Sequence, residues 1–252
     1  KDHENWLEKE LQHTETMVQR SDPDSLWAIA RADLLFLNGD IEEAANILER
    51  AESYGFERLL LWFGYLAKQE SWQRFQELIP FFFKQWPNYF RDRVELSASR
   101  IFQSLEPPFT AFYEATEARD IYEKFLHMML PHSTNKTMYF YYKQGDYRRL
   151  VDFMRLQDKG VTALFPEQLR TILDKDPESL LPLLHHAVSV AIAEKNRDSY
   201  REAVYYLQRM KTIYERVQKR ERWQYYFDTL LRMHQRLRAF QEECRKGQLF
   251  DG

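Results

Sequence analysis

Leu37-Asn-Gly-Asp-Ile-Glu-Glu-Ala-Ala-Asn-Ile-Leu48 holds the end of one helix and the start of the next. Gly39 stands where a closing helix needs a left-handed residue, and Asp40 follows in the N-cap position. Glu43, three residues on, completes a capping box with Asp in the capping role. Upstream, Trp27, Ala30, Leu34 and Leu37 repeat at helical spacing and define one face. Downstream, Ile41, Ala44, Ala45 and Leu48 define the next, with small alanines where two helices must approach closely. The stretch therefore predicts a helix–turn–helix unit.

The same pattern, a polar turn followed by an aromatic or Ile and an apolar helical run, recurs along the chain. It returns as AKQESWQRFQELI from Ala67, KQGDYRRLVDFM from Lys143, KNRDSYREAVYYL from Lys195 and KRERWQYYFDTLL from Lys219. Aligned on Ile41, Trp72, Tyr147, Tyr200 and Trp223, the separations are 31, 75, 53 and 23 residues. The first is close to the ~34 residues of a TPR unit and the second to about two of them, whereas the last two are not multiples. The pattern resembles a degenerate TPR-like array, and the expected fold is an all-α, TPR-like α-solenoid of about six helix-turn-helix pairs with irregular repeat lengths.

Periodicity and breakers predict helices over 3–19, 24–37, 41–53, 57–68, 72–85, 88–104, 109–129, 135–144, 147–156, 167–174, 177–194, 199–218 and 222–245. Pro23, Pro87, the Pro107-Pro108 pair, Pro131, Pro166 and Pro177 mark junctions, Pro182 falls in a tolerated first turn, and Pro80 is expected to kink or split its helix. The turn formers Pro131 to Asn135 suggest a seam between N-terminal repeats over 1–130 and C-terminal repeats over 135–252, the two being continuous.

Composition agrees with helices. Among 252 residues there are only 7 Gly and 9 Pro, too few for the many turns of a β-rich fold, while 44% hydrophobic and 15% aromatic residues exclude a disordered chain. The one cysteine, Cys244, excludes an intrachain disulfide and any multi-cysteine metal site, and fits a reducing, cytoplasmic setting. No run of 18 apolar residues predicts a membrane span. The opening KDHENWLEKE has neither an initiator Met nor a secretory apolar segment and reads as part of a longer protein. The net charge of −3 conceals an asymmetry: residues 195–246 carry 14 Lys/Arg against 7 Asp/Glu, and the remainder 22 against 32.

Candidate chemistry is sparse. The phosphate-binding GxxxxGK[ST] and GxGxxG, the GxSxG elbow and the HExxH zinc motif are all absent. His185 and His186 point about 100° apart on a helix and cannot share a metal unaided, and His127 and His132 flank the Pro131 break. The pairs Glu42-Glu43 and Glu242-Glu243 read as solvated surface rather than opposed catalytic carboxylates. Consecutive aromatics at Phe81 to Phe83 with Trp86, Tyr139 to Tyr142, Tyr205-Tyr206 and Tyr225 to Phe227 cannot all enter one core. Most belong to packing between helix pairs; the rest suit a groove for a peptide partner. Near the C-terminus Arg220, Arg222, Arg232, Arg236 and Arg238, with Lys219, surround a buried stripe of Leu230, Leu237 and Phe240. They form either a salt-bridged, solvated face covering the end of the solenoid or the candidate partner surface, for an acidic protein or for nucleic acid.

The run from Tyr200 to Leu249, through AVYYLQRMKTIY, Trp223 and RLRAFQEECRKGQL, resembles the helical C-terminal region of bacterial SWIM zinc-finger proteins. The resemblance implies a finger elsewhere in the parent, with a CxC and a later CxH on one zinc. It also implies DNA or protein binding, close in function to remodelling-type helicases. None of the zinc ligands lies in this chain, where Cys244 stands alone, so no cofactor is expected here. The expectation is a non-catalytic protein-interaction scaffold, with a nucleic-acid-associated accessory domain as the alternative, and neither an enzyme nor a membrane protein.

Overall fold

The computed structural model describes residues 2–20, 26–90 and 95–250, and every regular element among them is helical. In chain order these are α1 (Asp2–Val18), α2 (Leu26–Asn38), α3 (Ile41–Arg50), α4 (Glu52–Lys68), α5 (Trp72–Phe90), α6 (Glu95–Thr116) and α7 (Arg119–Met128). There follow α8 (Thr134–Lys143), α9 (Tyr147–Leu156), α10 (Pro166–Lys175), α11 (Leu181–Ala193), α12 (Arg197–Arg216), α13 (Arg220–Met233) and α14 (Arg238–Lys246). Single 3₁₀ turns at Val161–Ala163 and Pro177–Leu180 precede α10 and α11. The chain divides into two compact units, Lys1–Thr134 and Asn135–Gly252.

One device closes helix after helix. At Gly39 and Gly145 the backbone takes φ of +103° and +69°, and the next amide, of Asp40 or Asp146, reaches back to the carbonyl of Leu35 or Tyr141 at 2.9 and 3.1 Å. This satisfies carbonyls that a helix end leaves without partners. Glu70, Asp158, Gln218 and Gln248 do the same at φ of 52° to 58°, with the following amides bonding the carbonyls of Leu66, Met154, Tyr214 and Cys244. Side chains rarely adopt this conformation, so these turns carry no glycine signal in the sequence.

In the first unit α3 packs against α2, α4 and α5, while α4 also meets α5 and α6. Phenylalanines fill the space between them: Phe56, Phe63, Phe75, Phe82, Phe109, Phe112 and Phe125 are all at most 1% exposed. Phe109 stacks on Phe125 at 4.0 Å between centroids and Phe75 on Phe112 at 4.8 Å. Each such ring removes enough apolar surface from water to stabilise the unit by about 1.5–3 kcal/mol. The predicted face Ile41, Ala44, Ala45 and Leu48 is fully buried. Its alanines, with Ala51, let α3 and α4 meet across a one-residue joint. Gly55 completes this contact: a Cβ there would lie 1.9 Å from the Leu48 carbonyl oxygen.

In the second unit α12 is the central helix, touching α11, α13 and α14. Tyr200, Ala203, Leu207, Met210 and Ile213 form its buried stripe. Asn196 caps its start, accepting from the Ser199 amide at 2.9 Å, as Asp146 accepts from the Arg149 amide at the start of α9. At the end of α10 the Arg216 guanidinium donates to the carbonyls of Leu173 and Asp174 at 2.6 and 3.0 Å.

Several expectations are corrected. The buried face of α2 is Ala28, Ala32, Leu35 and Phe36, not the set from Trp27 to Leu37. The helix is apolar on most sides, and the face with small alanines permits the closer approach. Asp40 does not cap α3 with its side chain; its carboxylate accepts from the Asn38 amide at 2.7 Å instead. Pro80 and Pro87 lie within a continuous α5, and Pro107-Pro108 within α6 rather than at a junction. Pro80 and Pro107 stand on exposed faces, where the exposed Gln76 and Gln103 four residues back leave the freed carbonyls on the water side. The predicted helix 222–245 is two helices, broken between Met233 and Arg238, so that α14 can fold back on α12. Pro23 lies outside the described residues.

Candidate functional site

All five arginines named from the sequence are exposed, but they do not form one patch. Arg220 and Arg222 open α13 and Arg232 lies in its last turn, twelve residues or about 18 Å further along the axis. Arg236 and Arg238 follow in the break and at the start of α14. Arg220 pairs with Glu215 at 3.8 Å and Arg232 donates to the Thr229 hydroxyl at 3.4 Å. Among the described residues no carboxylate lies within 4 Å of Arg222, Arg232, Arg236 or Arg238. Of the expected stripe beneath them, Leu230 and Phe240 are buried and Leu237 is half-buried.

The consecutive aromatics divide as helix geometry demands. Phe82, Phe140, Tyr206 and Phe227 are buried while their neighbours Tyr139, Tyr205 and Tyr225 face water. Lys143 covers the Tyr139 ring and Arg209 the Tyr205 ring at 5.4 and 4.6 Å from the centroids. One exposed apolar feature carries no separate signal in the sequence. On α4, Tyr54, Leu61 and Tyr65 are 67%, 62% and 46% exposed at a spacing that places them on one face. Tyr65 meets the Phe36 ring of α2 edge-on at 5.8 Å, and the next residue of α2, Leu37, is also exposed. Between Tyr54 and Leu61 along this face the partly exposed Arg58 grips both carboxylate oxygens of Asp33 at 2.6 and 2.5 Å, and the Trp62 indole donates to Asp33 at 3.0 Å. The face is therefore held rigid by a bidentate ion pair and by the stacked rings of Phe36 and Trp62, 4.3 Å apart. The alternation that would have revealed it is hidden because the run from Leu59 to Leu66 is apolar on every side.

A second feature lies in the other unit. A cleft of about 490 Å³ opens between α9 and α11, lined by Arg148, Val151, Asp152, Glu178, Ser179, Leu181, Pro182 and His185. An adjoining cleft shares Asp152 and is lined by Arg155, Asp158, Lys159 and His186. The two histidines thus face different clefts. His185 meets the Tyr214 hydroxyl through Nε2 at 3.1 Å and the Tyr226 ring edge-on at 4.3 Å. Burial lowers its pKa, and burial likewise pushes the Tyr226 phenol up to about 12. At the cleft rim Lys219 pairs with Glu178. That hydrogen bond, reinforced by the charges of Lys219, Arg148 and Arg222, holds the Glu178 carboxyl below its usual range against the opposing effect of burial.

The remaining candidates resolve as structure. Glu42 is exposed and Glu43 pairs with Arg31 at 3.3 Å. Glu242 pairs with Arg197 at 2.7 Å, but Glu243 is not solvated surface as expected: it is buried beneath Arg197 and Lys246, at 3.5 and 2.9 Å. Burial pushes the Cys244 thiol up to about 12, which makes it inert as a nucleophile at neutral pH. Among the described residues no group of three His, Cys, Asp or Glu side chains is placed to hold a metal ion, and no helix is long and apolar enough to cross a membrane.

No family model matches the chain. It is similar to the uncharacterized protein YwqB of Bacillus subtilis (strain 168), with 27% identity over 241 residues. The match takes in 93% of this chain but only 44% of the length of that relative.

Proposed function

We propose that the chain is a stack of TPR-like helix pairs that holds a protein partner, as the helical region of a larger protein of the SWIM zinc-finger kind. One observation carries the interaction role: the exposed face of Tyr54, Leu61 and Tyr65 on α4, continued by Leu37 on α2. Aromatic and leucine side chains exposed together on one helix face suit an amphipathic helix of a partner. The repeat reading is supported by the neighbour pattern in the first unit, where α3 meets α5 and α4 meets α6, so that alternate helices lie side by side. Support for the larger parent is the resemblance of Tyr200 to Leu249 and the greater length of YwqB.

Nucleic acid is the second reading, favoured by the exposed Arg232, Arg236 and Arg238, which have no carboxylate within 4 Å among the described residues. Affinity purification with this chain, nuclease-treated and compared with Leu61→Asp, separates the two. Leu61 is 62% exposed, so the substitution leaves the core intact. Proteins that survive nuclease on the wild type and vanish on Leu61→Asp are the expected result. Retention of the same proteins by both forms overturns the α4 face, and loss of all bound material on nuclease treatment transfers the role to the arginines.

A further inference from the structure

Two glycines lie inside α4, and the fold of the chain accounts for one of them. Gly55 is required because a Cβ there would strike the Leu48 carbonyl. Gly64 is half-buried on the outer side of the helix, and a Cβ there would meet no atom within 4 Å. Glycine weakens a helix interior relative to almost any other residue. At Gly64 no turn, left-handed backbone or internal contact offsets that cost. It stands beside Tyr65 and one turn beyond Leu61, on the exposed stripe, where it leaves a hollow open to a side chain from outside.

The stripe has the spacing of a short coiled-coil seam. Tyr54, Leu61 and Lys68 stand seven residues apart, and Glu57 and Gly64 follow the first two by three. Tyr54, Glu57, Leu61 and Lys68 are all exposed. Leu61 and Gly64 are placed symmetrically about the Trp62-Phe63 peptide bond, and so are Glu57 and Lys68. Two copies of α4 laid antiparallel about a twofold axis at that bond therefore set Leu61 of each against Gly64 of the other. The same axis sets Glu57 of each against Lys68 of the other. Volume meets hollow at the centre and opposite charges meet at both ends, so the face is its own complement, as a twofold contact requires. A helix of unrelated sequence would call for no such symmetry.

We propose that the α4 face binds the α4 face of a second copy of this chain, antiparallel, in a symmetric dimer that rests on the interaction role given above to that face and names its occupant. Gly64 lets the two helix backbones approach, Leu61 fills the hollow, and Tyr54 and Tyr65 border the contact. Glu57 also accepts from the Tyr89 hydroxyl at 3.1 Å, which ties its carboxylate to α5 at the edge of the stripe. A contact confined to one helix face falls short of the about 1,600 Å² of a standard stable interface, so the dimer dissociates in the micromolar range.

Sedimentation equilibrium of the whole chain, over a concentration series into the high micromolar range, tests this. Wild type is expected to show a monomer–dimer equilibrium. Gly64→Gln should weaken it about tenfold, because the new side chain occupies the place of the incoming Leu61. In dilute solution Gly64→Gln should melt no lower than wild type, since a good helix former replaces glycine in open space. Glu57→Lys and Lys68→Glu, both at exposed positions, should each weaken association several-fold when alone. Their equimolar mixture should recover it, because each variant supplies the charge that the other has lost. A wild type that stays monomeric throughout overturns the dimer. If Leu61→Asp still loses captured proteins in the affinity purification, the α4 face then stands with an unrelated partner helix as its occupant; if it does not, the face falls as well. A Gly64→Gln dimer as tight as wild type overturns the α4 contact, and a mixture no tighter than its two components overturns the antiparallel pairing.

Discussion

The two compact units are built from the same element and differ in charge and in aromatic content. Residues 1–134 carry 14 Lys/Arg against 23 Asp/Glu and hold twelve of the 18 phenylalanines. Residues 135–252 carry 22 against 16 and hold six. The first unit has inter-helix ion pairs such as Arg58–Asp33 and Lys84–Glu49, but its core is ring-on-ring packing, with Phe82 alone meeting Phe56, Phe63, Phe109 and Phe125 within 6.4 Å. In the second, polar side chains reach between elements: Arg216 to the α10 carbonyls, Lys219 to Glu178, Arg197 to Glu242 and Glu243, and His185 to Tyr214. Helical units can thus draw to different degrees on aromatic volume and on side chains that satisfy neighbouring helix ends. The surfaces left exposed differ as well: an apolar face on α4 in one unit, a charged cleft beside α9 in the other.

The comparison breaks most severely at Phe109. Phe109→Ala deletes a ring stacked on Phe125 and in contact with Phe63, Phe75 and Phe82. The expected loss is about 3–5 kcal/mol from lost transfer energy and the cavity left behind. Urea unfolding should show it in the fluorescence of Trp62 and Trp86. Trp223, the one tryptophan of residues 135–252, reports the second unit. A loss below about 1 kcal/mol would mean that the rings do not form the continuous core described.

Gly55→Ala is the next in size. The added methyl meets the Leu48 carbonyl at 1.9 Å, a backbone atom that cannot move aside without separating α3 from α4. Overpacking of this kind costs about 3 kcal/mol. Here the limits of sequence reading become physical. The alanines at 44, 45 and 51 announce a close approach, and Ile41 to Leu48 is legible because its polar and apolar sides alternate cleanly. Gly55 reads as a break between helices, although it lies inside α4, because a glycine needed for proximity and one needed for a turn look alike in sequence. The same ambiguity hides the α4 face within an all-apolar run. The arginines were legible as exposed charge but not as separate groups, since the break after Met233 is closed without glycine or proline. The cleft was illegible: Arg148 and Glu178 are thirty residues apart, and Lys219 lies a further forty-one from Glu178.

Acid should distinguish the units. His185 is half-buried, which lowers its pKa and favours the neutral ring, while unfolding returns it to its ordinary value near 6.5. The unfolded chain therefore binds more protons as pH falls through 6.5, and the stability present above that value is lost progressively below it. The lowered carboxyls of Glu178 and Glu243 extend the loss to lower pH, since their contribution is present above the ordinary carboxylate range and disappears as they protonate. Urea midpoints followed at Trp223 should fall between pH 7.5 and 5.5. His185→Phe should flatten that interval and leave the slope below pH 5. An unchanged profile in His185→Phe would show that His185 is solvated in the folded chain.

The smallest effects test the helix closure that both units share. Gly145 has φ of +69° and open space where a Cβ would stand, so Gly145→Ala isolates the cost of the left-handed backbone. A loss of about 1 kcal/mol is expected. Gln218 adopts nearly the same conformation at φ of 58°, and the following Lys219 amide bonds the Tyr214 carbonyl at 2.8 Å. Gln218→Gly relieves strain there, but the freer unfolded chain offsets part of the gain, leaving about 0.5 kcal/mol of added stability. The opposite signs are the point of the pair. If Gln218→Gly destabilises, the Gln218 turn is held by its side chain rather than tolerated in spite of it, and the six closures are not one device. If both signs hold, the protein ends helices with a single backbone geometry, and glycine at 39 and 145 is a local relief of strain that the other four turns do without.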